Sequence, residues 1–298
     1  MFKGTITAIV TPFKEDESLD LEALKNLVEF QIENKIDGIV PCGTTGESPT
    51  LQHDEHEQVI KTVIESAHGK AKVIAGAGSN STKHAVELTK LAKDIGADGT
   101  LHVSPYYNKP TQDGLYKHFS EVAKASDLPV VIYNIKGRTA VNIETATLAR
   151  LAKEHSNILA VKEASGDINQ MQEVLNTLPK EFDVLSGDDS MTFPLMKIGG
   201  KGVISVASNI IPAQVKQLTD YALSGDFKKA EELHNKYMPI FEGLFTETNP
   251  LPIKAALAMK GMIKESYRLP MCEMQPANKE SLKKLLEDFN ILEELKDI

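Results

Sequence analysis

The sequence predicts a (β/α)8 barrel of the TIM type with a helical appendage at its C-terminal end. Two observations carry the prediction. Eight short, β-branched, apolar runs recur along the chain, and they are continuous rather than alternating, as strands buried on both faces of a parallel sheet must be. Amphipathic helical stretches separate them, so that a βα unit repeats at roughly 25–35 residues. A two-domain dinucleotide-binding architecture competes for a chain of 298 residues. Its fingerprint fails at Gly76-Ala77-Gly78, where Ser81 stands in place of the third glycine.

The predicted strands are 6–10, 38–41, 73–75, 99–103, 130–133, 158–161, 184–186 and 203–206. After the first, Asp20 is placed to cap a helix whose Leu21, Leu24, Leu27 and Val28 share one face. After the third, Ser81-Thr82 opens a helix carrying Ala85, Leu88, Leu91 and Ala92, and Gly96 closes it. From Asp226 onward the chain reads as helical throughout, with breaks at Gly261 and Pro270. The expected boundaries are therefore 1–225 for the barrel and 226–298 for the helical region, with no Gly/Ser linker between them.

Lys and Arg number 33 against 42 Asp and Glu, a formal net charge of −9. No basic run is interleaved with aromatics, so a nucleic-acid partner is not expected. Cys42 and Cys272 are far apart and lack metal-ligand spacing, which fits a reducing compartment and leaves no zinc site to build on them. The first ten residues read as a strand rather than a signal peptide, and no apolar run approaches the ~18 residues that span a bilayer. A cytoplasmic protein with no membrane partner is expected.

In a barrel of this type, chemistry sits at the C-terminal ends of the strands. The polar residues found there are Thr44, Thr45 and Glu47 after the second strand, Ser79 and Asn80 after the third, and Ser104, Tyr106 and Tyr107 after the fourth. Tyr133, Asn134 and Arg138 follow the fifth, Lys162 and Glu163 the sixth, Ser186, Asp188 and Asp189 the seventh, and Ser205 the eighth.

Lys162 ends a buried strand, where desolvation disfavours the ammonium form and leaves an amine able to form a Schiff base with a ketone. Snorkelling to the barrel mouth, or pairing with Glu163, is the plainer alternative. The turn Gly43-Thr44-Thr45-Gly46-Glu47-Ser48 offers backbone N–H groups and two hydroxyls suited to a carboxylate, against a phosphate cradle or an ordinary polar turn. Tyr133 can shuttle a proton, above all if bonded to the Thr44 hydroxyl, or it can pack with a wet tip. Arg138 can clamp a carboxylate or make a surface salt bridge. His53 and His56 share a helix face without completing a zinc pattern, so a solvated face is the default and a small-ligand contact the alternative. Asp188-Asp189 is expected to cap rather than to hold a divalent ion.

Together these residues resemble the pyruvate-dependent class I aldolase superfamily and, within it, the dihydrodipicolinate synthase family. The markers are the 43–48 turn, Ser104-Pro105-Tyr106-Tyr107-Asn108-Lys109-Pro110, Tyr133-Asn134, Arg138-Thr139, Val161-Lys162-Glu163-Ala164 and Ser186-Gly187-Asp188-Asp189. Gly202-Val203-Ile204-Ser205-Val206 and Glu247-Thr248-Asn249-Pro250-Leu251-Pro252-Ile253-Lys254 complete them, so the likeness covers essentially the whole chain. The resemblance implies that Lys162 forms the Schiff base with pyruvate and that Thr45, with the adjacent backbone, binds the pyruvate carboxylate. It implies that Tyr133 moves protons through Thr44 to Tyr107 of a neighbouring subunit. Arg138 would receive the carboxylate of aspartate-4-semialdehyde, and carbonyls near Gly187 and Ile204 would shape the pocket.

The implied reaction condenses the two partners to 4-hydroxy-tetrahydrodipicolinate, in lysine and diaminopimelate biosynthesis. It uses no metal and no cofactor beyond the covalent imine on Lys162. The implied assembly is a homotetramer, a dimer of dimers. Arg138 separates this reading from the related sugar-acid aldolases, whose aldehyde partner is a neutral sugar. A binding barrel that has lost its chemistry is the third reading, and an intact Lys162, Tyr133 and Thr44 argue against it.

Two departures from the family pattern carry expectations. The family usually has proline where this chain has Lys136, so Arg138 is expected to be less rigidly aimed, with an extra cation beside it. In lysine-inhibited members an interface pocket resembles Ser48, His53, His56, Asn80 and Tyr106 here, with a glutamate where this chain has His84. An imidazole is a poor partner for an ammonium group, and weak or absent lysine feedback is expected.

Overall fold

Each continuous apolar run must hide both of its faces, and the chain does so by closing the runs into a barrel sheathed in helices. The computed structural model describes residues 1–292. Its strands are β1 Gly4–Ala8, β2 Gly38–Val40, β3 Lys72–Gly76, β4 Gly99–Val103, β5 Val130–Asn134, β6 Ile158–Glu163, β7 Asp183–Ser186 and β8 Gly202–Ser205. Every strand pairs in parallel with the next, and β8 closes on β1 with Ile204 opposite Ile6. The closure is tight. A Cβ on Gly202 would lie 2.0 Å from the Gly4 carbonyl oxygen, so the two backbones meet only because no side chain stands between them.

Around the barrel run α1 Leu21–Glu33, α2 His53–Ala67, α3 Thr82–Asp94, α4 Gln112–Ala125, α5 Lys136–Thr139, α6 Thr145–Glu154, α7 Ile168–Thr177, α8 Thr192–Lys197 and α9 Pro212–Leu223. They are followed by α10 Phe227–Gly243, α11 Leu251–Met259 and α12 Pro276–Asp288. Asp20 caps α1 as predicted, its carboxylate accepting the Ala23 N–H at 3.0 Å, and Leu24, Leu27 and Val28 are buried beneath it. Ser81 precedes α3, but its hydroxyl makes no cap bond. Gly96, at φ +87°, follows that helix.

Two stretches differ from expectation. β1 ends at Ala8 rather than at residue 10: Ile9 and Val10 are fully buried, yet the Val10 N–H donates to the Asn209 side chain instead of extending a strand ladder. Ile9 still donates to the Val40 carbonyl at 3.1 Å, so the pairing stops only at Val10. The C-terminal region is not helical throughout, because residues 260–275 leave the helical path between α11 and α12. Gly261 turns the chain out at φ +76°, and Arg268 then binds the stretch to the barrel. Its guanidinium meets both Glu55 carboxylate oxygens at 2.6 Å and donates to the carbonyls of Glu17 and Thr50. Residues 293–298 of the expected helical region lie outside the described residues.

One apolar cluster runs from Leu27, Val59 and Val206 through Ile240, Leu257 and Leu286, joining the C-terminal helices to the α1 and α2 side of the barrel. A separate cluster fills the barrel axis, with Phe2, Ile6, Val40, Leu101, Leu185 and Ile204. Among the described residues, no helix is long and apolar enough to cross a membrane. Cys42 is buried and Cys272 exposed, and both are free thiols.

Candidate active site

Side chains alternate along a strand, so the parity of the apolar residues decides what faces the barrel axis. In β6, Ala160 belongs to the axial cluster, and Lys162, two residues on, therefore points inward. Tyr133 is its register partner on β5, and the Lys162 Nζ lies over the Tyr133 ring, 4.1 Å from the centroid. Only 6% of Lys162 is exposed. Burial lowers its pKa to about 8, against the opposing pull of Asp188 and Asp189, while the Arg138 charge adds to the fall.

Pairing with Glu163 does not occur, because that carboxylate faces the other side of the strand. It accepts hydrogen bonds from Ser165 N at 2.8 Å and from the side chains of Asn134 and Gln170. Burial pushes the Tyr133 phenol above its ordinary range, and the Asp188 charge adds to this, while Arg138 and the Thr44 hydroxyl oppose it. The phenol is thus a held acid rather than a phenolate.

The turn after β2 is folded on itself, with the Gly46 and Ser48 N–H groups on the Gly43 carbonyl. Thr45 is buried and Thr44 half-buried. The turn is also fixed from outside. Thr45 Oγ1 accepts the Asn249 Nδ2–H at 3.0 Å, and Glu47 forms a fully buried ion pair with Lys254 of α11. Sequence reasoning passed over Asn249 and Lys254 as parts of a marker; the visible signal was one lysine inside the apolar run of α11.

Arg138, on α5, is exposed, and its Nη2 donates to the Asn249 carbonyl at 3.1 Å. Lys136 opens the same short helix. Gly187 stands against the lysine: a Cβ there would lie 2.6 Å from Ala164 Cβ and 3.1 Å from Lys162 Cε. Ile204 packs in the axial cluster. Asp188 holds the N-cap position of the short turn 189–191 but its side chain makes no cap bond there, and Asp189 instead accepts the N–H groups of Val206 and Ala207 beyond β8. Thr44, Thr45, Ser48, Tyr133 and Lys162 line a narrow pocket that is open to solvent, walled by Val40, Leu101 and Val103. Among the described residues, no group of three His, Cys, Asp or Glu gathers as a metal site.

The model of the dihydrodipicolinate synthetase family matches residues 1–289. The chain belongs to that family. It is 51% identical to the 4-hydroxy-tetrahydrodipicolinate synthase of Hydrogenobaculum sp. over 98% of this chain and 100% of that protein. To the enzyme of the same name from Aquifex aeolicus it is 52% identical, over 98% and 99% of the two chains. The crystal structure of dihydrodipicolinate synthase from Aquifex aeolicus superposes with a TM-score of 0.96, covering 99% of this chain and 100% of that one.

The residues expected at an effector pocket are brought together only in part. Ser48, His53, His56, His84 and Tyr106 line one pocket open to solvent, and Ser48 and Gly78 border both it and the Lys162 pocket. Asn80 is not among its lining residues; its carbonyl accepts the Asn108 side chain at 2.9 Å. The solvated face expected for the two histidines holds for His53 alone. His56 is buried, bonded through Nε2 to the Gly76 carbonyl at 2.8 Å, and burial lowers its pKa to about 4. The helix turns its second histidine under the β3 end, which spacing alone could not tell. Tyr107 is 90% exposed, at φ +73°, and does not line the pocket of its own chain.

Proposed function

We infer that this protein is a 4-hydroxy-tetrahydrodipicolinate synthase that joins pyruvate to aspartate-4-semialdehyde through an imine on Lys162. The observation that carries the reading is the Lys162 amine, buried over the Tyr133 ring with its pKa lowered to about 8. A free amine attacks the pyruvate ketone, and the Tyr133 phenol is set to supply the proton that lets water leave. Thr45 and its neighbouring N–H groups receive the pyruvate carboxylate. The imine nitrogen then acts as electron sink, the pyruvate methyl loses a proton, and the enamine carbon attacks the aldehyde. Finally the amine of the second substrate displaces Lys162 and closes the ring. No step calls for a metal or an organic cofactor.

Arg138 is the group for the carboxylate of the second substrate, and its partners on this chain are the Asn249 carbonyl and the Thr248 hydroxyl rather than an acid. A guanidinium without a carboxylate partner is available to an anion. Tyr107, extended into solvent, is read as a contribution to the site of a neighbouring subunit, in an assembly of at least two chains and in the family reading four.

Borohydride reduction in the presence of pyruvate, followed by peptide mass mapping, tests the reading. Label on Lys162 is expected, and no label there overturns it. A screen of aldehydes then separates this activity from a sugar-acid aldolase, since only an acceptor bearing a carboxylate exploits Arg138.

A further inference from the structure

We propose that Asn249 is a positioning residue for the carboxylate site, its amide filling the acceptor side of the Thr45 hydroxyl and so turning the Thr45 proton into the pocket. The inference rests on reading Thr45 as a donor to the pyruvate carboxylate.

A threonine hydroxyl has one proton and two lone pairs, and left to itself it rotates to suit its surroundings. Here Nδ2 of Asn249 donates to Thr45 Oγ1 at 3.0 Å. With that lone pair occupied, the proton is released for an acceptor on the other side. Thr45 lines the pocket that Lys162 enters, so the acceptor is an anion bound there. A donor held ready for a carboxylate, with no reorientation when substrate arrives, makes a strong charge-assisted bond.

Asn249 is built for position. It is 5% exposed, and its Oδ1 is buried without a hydrogen-bond partner, a state that a side chain held only for its own satisfaction would not keep. Its main chain reaches the other substrate group, because its carbonyl accepts from Arg138 Nη2 at 3.1 Å. One residue therefore touches both groups assigned to the two substrate carboxylates, the amide on Thr45 and the carbonyl on Arg138.

The register of this contact is locked nearby. Lys254 pairs with Glu47, two residues beyond Thr45, and both side chains are essentially out of solvent. Phe13 lies beneath the ammonium, 4.3 Å from ring centroid to Nζ. The segment 249–254 cannot slide along the turn without separating a buried charge pair, which is strongly unfavourable.

Steady-state kinetics of Asn249→Ala, Asn249→Asp, Thr45→Val and the Asn249→Ala/Thr45→Val double variant test the proposal in the full chain. The pyruvate KM is expected to rise about tenfold or more in Asn249→Ala, the size of losing one hydrogen bond to a charged group. Asn249→Asp, which keeps the shape, is expected to raise it further, because a carboxylate only accepts and draws the Thr45 proton to itself. The KM for aspartate-4-semialdehyde is expected to move by no more than about twofold, since no side-chain change removes the carbonyl that holds Arg138. In the double variant the pyruvate effect should match that of Thr45→Val alone.

An unchanged pyruvate KM in Asn249→Asp, or effects that add in the double variant, would overturn the role of Asn249. Should Asn249→Ala fold poorly by thermal unfolding, Asn249→Asp still decides the question. Failure of the underlying reading looks different: Thr45→Val itself then leaves the pyruvate KM unchanged.

Discussion

Burial of one amine sets both the reactivity and the instability of the site. The pKa of Lys162, about 8 in the fold, lies below the ordinary lysine value of 10.5. The folded chain thus holds fewer protons than the unfolded chain between these values, and stability rises with pH across that window. Below pH 8 the buried ammonium opposes folding by up to about 3 kcal/mol. Lys162→Met, which fills similar volume without charge, is expected to abolish borohydride trapping and to raise the unfolding temperature at pH 7. In the wild-type chain the single-turnover trapping rate is expected to climb as pH passes from 7 to 9 and then level off. A flat profile, or a methionine variant less stable than wild type, counts against the argument. The place of Lys162 at the end of the sixth strand was legible in the sequence, but not its direction, because a run that is apolar on both faces carries no parity of its own; the axial position of Ala160 supplied it. The direction of Glu163, away from its neighbour and onto Asn134 and Gln170, follows from the same parity.

At the level of elements, the helices carry the residues that tune the pocket. α2 presents His56 to the Gly76 carbonyl and leaves His53 exposed, while α3 brings His84 to the same cavity, its Nδ1 3.4 Å from Ser79 Oγ. Three imidazoles and no carboxylate line that space among the described residues. An ammonium group finds no anion there, so lysine is expected to leave activity unchanged at micromolar concentration, and inhibition in that range would refute the expectation. Spacing placed the two α2 histidines on one face, but depth of burial was set by how the helix leans on β3. The same limit applies to 260–275, where the mixed, proline-containing sequence did not reveal that Arg268 would fasten the segment to Glu55.

Over the whole molecule, a net charge of −9 works against two anionic substrates, so local cations have to reverse the field. Arg138 is exposed on α5, with Lys136 on the same short helix. The exposed side chain of Tyr107 is placed to reach a second chain, and complementation tests this. Lys162→Met and Tyr107→Phe are each expected to be nearly inactive. If Tyr107 serves a neighbouring subunit, dissociating and reassembling the two variants together is expected to recover activity that neither has alone, in hybrid sites holding both intact residues. Absence of recovery would mean that Tyr107 acts within its own chain or not at all.

The sequence by itself determined eight strands alternating with helices, a lysine at the end of the sixth strand, the hydroxyl-bearing turn and the family to which they belong. These are local properties: strand period, helical period and short motifs are written in neighbouring residues. Only the tertiary structure decided that Asn249 holds Thr45 across 204 positions and that Lys254 meets Glu47 across 207. Such contacts have no period along the chain. They exist because the barrel closes, and the C-terminal segment, packed into the same apolar cluster, is brought down on the turn that the second strand releases.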